Sequence, residues 1–111
     1  MEPPFTEHDW KTLREVHDQL LWKLCDRINQ ECSKILDSKD GTPHERYLRL
    51  YKHIQYSDSI IGDCFNDLKR STLAIKMKHM KRQGLLTEKL LERFSQGAQD
   101  FLRGPPIRRP S

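Results

Sequence analysis

The segment Asp37-Ser38-Lys39-Asp40-Gly41-Thr42-Pro43-His44-Glu45 most limits what this chain can become. Its first five residues are turn formers that end a helix and reverse the chain. The next four carry a helix-start signal: threonine at the cap, proline at the first helical position and glutamate at the third. A stop and a start this close together predict two helices joined by a tight reversal, lying antiparallel.

The flanking sequence supports that reading. Trp10, Leu13, Leu20, Leu21, Leu24, Ile28, Cys32 and Ile35 recur mostly at three- and four-residue steps. They form one apolar stripe on a helix of about 28 residues and about 40 Å. Thr6 caps its start, with Asp9 at the third helical position and Phe5 and Trp10 at the spacing of a hydrophobic staple. Beyond the reversal, Tyr47, Tyr51, Ile54, Asp58, Ile61, Phe65 and Leu68 form a heptad-like comb. Past Leu68 the stripe changes phase, which predicts a bend or short break near Ser71-Thr72. Gly84 ends the third segment, and Thr87 caps a final helix that runs to Gly104. No strand pattern or repeat interrupts this series. The expectation is an all-α fold, a small antiparallel bundle of three to four helices. It divides the chain into a flexible N-terminus (1–5), one domain (6–104) and a disordered Pro/Arg tail (105–111).

Composition narrows the function classes. Of the 111 residues, 35% are hydrophobic and 32% charged, and no apolar run exceeds three residues. That excludes a spanning helix, which needs about 20 apolar residues. Three cysteines, Cys25, Cys32 and Cys64, make an odd count with no CxxC pair. Free thiols fit a reducing compartment, so the expected location is cytoplasmic or nuclear. Charge is uneven: residues 1–67 hold nine bases against 13 acids, and residues 68–111 hold 11 bases against three acids. The C-terminal part is therefore the one that attracts anionic partners.

Candidate sites follow from these patterns. Arg70, Lys78, Lys81 and Arg82 fall within about 120° of helical arc, and Lys89 and Arg93 follow across the Gly84 corner. Such a face suits phosphates or an acidic protein surface. No aromatic interleaves it, so stacking on single-stranded bases is not indicated. The corner has helix-turn-helix spacing, but the following helix carries as many acids as bases and reads as a packing element. Trp10, Trp22, Tyr47 and Tyr51 are large anchors for an apolar interface. Asp58 interrupts the comb and, if buried, needs a partner from Lys76, Arg14 or His17. His17 and His79 lie near apolar stripes, where a core role outweighs a metal role. Arg108 and Arg109 precede Ser111 at the spacing a basophilic kinase uses, which makes Ser111 a modification candidate.

The expected function is a small adaptor or scaffold subunit that binds a protein partner or forms a homo-oligomer through apolar helix faces. The alternative is a nucleic-acid-associated protein that contacts phosphates through the basic face. Neither expectation includes an enzyme activity, a metal, a cofactor or a small-molecule substrate.

Overall fold

The computed structural model describes residues 4–105. Ser111 and the rest of the Pro/Arg tail after Pro105 lie outside the described residues. The elements are α1 (Glu7–Asp37), α2 (Pro43–Phe65), a 3-10 turn (Arg70–Thr72), α3 (Leu73–Arg82), α4 (Glu88–Leu91) and α5 (Gln96–Arg103), with no strand among the described residues.

Both long helices start where the caps place them. The Thr6 side chain accepts from the Asp9 N–H, and the Thr6 N–H donates to the Asp9 carboxylate. Thr42 and Glu45 repeat the same reciprocal pair ahead of Pro43. Arg49 staples the reversal by donating to the Asp40 carbonyl at 2.7 Å. The chain break falls earlier than the phase change suggests. α2 ends at Phe65, and Lys76 of α3 donates at 3.0 Å to the Gly62 carbonyl, which also accepts the Asn66 N–H, tying α3 to the last turn of α2. Gly84 (φ 74°) closes α3 as a Schellman motif: the Leu85 N–H reaches Met80 O and the Gly84 N–H reaches Lys81 O.

The final helix differs from expectation. It is two helices, α4 and α5, separated at Ser95, which caps α5 by accepting from the Ala98 N–H. The N-terminus also differs. Phe5, placed with a flexible end on sequence grounds, is 4% exposed and meets the Phe101 ring edge-on at 5.6 Å. Gly97 allows this closure, because a Cβ there would come within 3.2 Å of the Pro4 carbonyl oxygen.

The core occupies one side and one end of the α1–α2 hairpin. On α1 the buried apolar residues are Leu13, Val16, Leu20 and Leu24; on α2 they are Ile60, Cys64 and Phe65. Leu73, Met77, Met80, Leu85, Leu86, Leu91, Phe94, Ala98 and Leu102 cover them from the C-terminal segments. No residue of α1 beyond Leu24, and none of α2 before Ser57, is buried. The outer half of the hairpin therefore projects from the core, giving extents of 52 × 28 × 22 Å.

Candidate interaction face

The two helices of the hairpin meet along Leu50, His53, Ser57, Ile60 and Cys64 of α2 and Leu24, Ile28 and Ile35 of α1, all half-buried or buried. α3 and α4 lie on the side of α1 that carries Val16, Leu20 and Arg27. Arg27 donates to the carbonyl and side chain of Gln83, and Val16 and Leu20 line a cavity with Leu85 and Leu90. On the opposite side of the hairpin, at about 100° per residue, stand Leu21, Cys25, Cys32 and Leu36 of α1 with Tyr47, Tyr51, Ile54 and Ile61 of α2. Nothing in the described chain covers the outer part of that side. Leu36 is 55% exposed, Tyr47 59%, Tyr51 51% and Ile54 49%.

The rings on this face are ordered. His44 stacks on Tyr47, and Tyr47 on Tyr51, each at 6.4 Å between centroids. They form a ladder along nearly two turns of α2. The comb read from the sequence is thus split. Phe65 turns inward and meets His17 edge-on at 5.4 Å, while Tyr47, Tyr51 and Ile54 face outward. Asp58, on the same stripe, is exposed and so needs none of the buried partners considered for it; Lys76 goes to Gly62 instead. Of the four anchors named from the sequence, Trp22 is the most exposed at 64%, beside this face on α1. Trp10 is not on it: its ring packs against the core beneath the Arg70 guanidinium at 5.3 Å. Leu36 and Ile54 belong to the face but are not among the anchors named from the sequence; Ile54 lies on the comb, and Leu36 follows Ile35 at the end of the α1 stripe.

The six basic residues do not assemble into one surface. Arg70 pairs with Glu7 at 2.8 Å and Arg93 with Glu15 at 2.8 Å, both reaching back to α1. Lys78 is 7% exposed; its ammonium donates to the Pro105 carbonyl at 2.8 Å and lies 4.5 Å from the Phe101 ring centre. Burial and the neighbouring Lys81 push the Lys78 ammonium below its usual range. Lys81 and Arg82 line a cavity of about 200 Å³ with Lys78 and Arg103, at the C-terminal ends of α3 and α5. Basic groups there complement the free carbonyls of both helices. Lys89 is exposed on α4.

A second cluster resembles a catalytic arrangement without its connectivity. In a cleft of about 410 Å³, His53 Nε2 lies 3.2 Å from Glu31 Oε1 and 3.4 Å from Ser57 Oγ. Both oxygens approach the same ring nitrogen. A relay needs the base to hold the nucleophile on one nitrogen and its orienting carboxylate on the other. Among the described residues no three or more His, Cys, Asp or Glu gather to hold a metal ion, and no helix is long and apolar enough to cross a membrane. Cys25 and Cys32 are half-buried free thiols, and burial pushes the Cys64 thiol up to about 11.

No protein-family model matches this chain, and neither a curated protein nor a solved structure matches it.

One titration belongs to the packing of α3. Burial, then Lys76 and Arg82, hold the His79 imidazole below its ordinary value of 6.5. The unfolded chain therefore binds a proton at His79 more readily than the folded chain. Stability from this group is intact above about pH 6.5 and is lost as the pH falls through the folded value. Urea midpoints measured at pH 7.5 and 5.5 should fall with acid, and His79→Gln should make the fall shallower. An identical fall in the variant would remove His79 from the acid response.

Proposed function

We propose that this chain is a small helical adaptor or scaffold subunit that binds a protein surface through the open side of the α1–α2 hairpin. The observation that carries the reading is the exposure of Leu36, Tyr47, Tyr51 and Ile54 on the side away from the core. Large aromatics at such density are anchors for association, because each offers much apolar area for few rotatable bonds. A contiguous exposed apolar surface is uncommon on a chain that works alone. The three thiols fit work in the cytosol or nucleus. Phosphate contact is the weaker reading, since Arg70 and Arg93 are paired with carboxylates and Lys78 is buried.

The test is site-specific photo-cross-linking in cells of the native host, with the reactive residue at Tyr51, at Lys81, or at Lys11 as control. Protein adducts at Tyr51 that survive nuclease are expected. Adducts at Tyr51 no stronger than at Lys11, with nucleic acid captured at Lys81, would replace this reading by the nucleic-acid one.

A further inference from the structure

We infer that the occupant of the open face is a second copy of this chain, docked with the two α2 helices antiparallel about a dyad at Tyr51. This rests on the adaptor reading and names its partner.

The first argument is helix polarity. Two copies of α2 side by side and parallel would align their dipoles; turned antiparallel, the dipoles oppose favourably. Along the open stripe the charge to be met is Asp58, since Arg49 is already held by the Asp40 carbonyl and Asp67 by Lys69.

The second argument is register. His44 and Asp58 are both exposed and stand seven residues either side of Tyr51, on the same stripe. A dyad at Tyr51 therefore sets His44 of each copy against Asp58 of the other at both ends of the contact. This resolves the one charge in an otherwise apolar stripe, since Asp58 finds an N–H donor once the face closes. A two-fold contact is self-complementary, so a single patch with one acid and one donor placed symmetrically about its centre satisfies it.

The third argument is architecture. Two hairpins stacked through these sides form a four-helix arrangement, with Leu21, Cys25, Cys32 and Leu36 of each α1 flanking the central α2 pair. The patch from Leu21 to Leu36 is about 22 Å long and two helices, about 20 Å, wide. That places the contact at the small, weak end of protein interfaces.

Sedimentation velocity of the purified full chain from about 5 to 500 µM tests this. The expected result is a concentration-dependent shift from 13.2 kDa to twice that mass. Tyr51→Asp should leave the circular dichroism unchanged, because the side chain is 51% exposed, and should hold the chain monomeric throughout. His44→Glu should weaken association at least tenfold, and adding Asp58→Lys to it should restore association. A chain that stays monomeric at 500 µM overturns the second copy, while cross-links from Tyr51 to a different protein would still uphold the adaptor reading. A dimer indifferent to Tyr51→Asp overturns this face as its seat. A dimer disrupted by Tyr51→Asp but not rescued by the charge exchange overturns the antiparallel register.

Discussion

Asp9→Ala should cost about 3 kcal/mol of folding free energy, the largest loss expected from a single polar side chain in this protein. Asp9 is fully buried in the first turn of α1. Its carboxylate accepts three hydrogen bonds: from the Thr6 N–H at 2.9 Å, the Ser95 N–H at 2.7 Å and the Ser95 hydroxyl at 2.7 Å. One side chain therefore caps α1 and also ties that cap to the start of α5, 86 residues away in sequence. Truncation leaves three part-buried donors without their acceptor, and each such donor costs about 1 kcal/mol. In a domain of about 100 residues this corresponds to a fall of about 15 °C in the melting temperature. Asp9→Asn separates charge from shape: the amide keeps one acceptor oxygen but turns donor hydrogens towards donors, so it too should destabilise. Ser95→Ala should cost about 1 kcal/mol, and the double variant should cost less than the sum, because both changes remove the bond from the Ser95 hydroxyl to Asp9. Thermal melts that place Asp9→Ala within 1 kcal/mol of the parent would remove this carboxylate as the clasp.

That clasp shows where the sequence was silent. Thr6, Asp9, Thr42, Pro43 and Glu45 announce two helix starts because a cap is a local device, complete within four residues. Ser95 is a cap as well, but it lies inside a run of helix-compatible residues with apolar neighbours in phase on both sides. Only its bonds to Asp9 distinguish a break there from a continuous helix. Gly97 was the available hint, since a glycine inside a helix marks a close backbone approach, here to Pro4. Gly84 was legible for the opposite reason: a Schellman end needs a residue at positive φ within the same turn.

The site divides along the same line. Periodicity shows which residues share a stripe on α2, and it placed Tyr47 and Tyr51 correctly on one. It does not say which of two adjacent stripes α1 covers. Here the covered stripe includes the polar His53 and Ser57, while the richer aromatic stripe is open. Helical arc likewise grouped Arg70, Lys78, Lys81 and Arg82. The partners that draw Arg70 and Arg93 away are Glu7 and Glu15, 63 and 78 residues earlier in the chain. Pairings at that distance are set by how the segments dock and leave no mark on the local sequence.

The outer hairpin should be the least protected helical structure in the molecule. By hydrogen exchange at about 5 µM, amides in residues 28–36 and 46–54 should exchange on the order of 100-fold faster than those in residues 13–24 and 57–64. The cause is the distribution of burial. From Leu13 to Leu24 nearly every turn of α1 holds a buried leucine or valine, whereas beyond Leu24 the contacts to α2 are made by half-buried Ile28 and Ile35. Two helices with one apolar seam between them gain too little from burial to offset the entropy of ordering them. The caps at Thr42 and the Arg49 staple hold the reversal but add only local stability. Equal protection in both halves would mean that the seam alone sustains the hairpin and that its open rings have no energetic role. A gradient that flattens as the concentration rises towards 500 µM, and stays steep in Tyr51→Asp, would show that the second copy supplies the missing burial. In that case the exposed rings are the other half of a core that one chain does not complete.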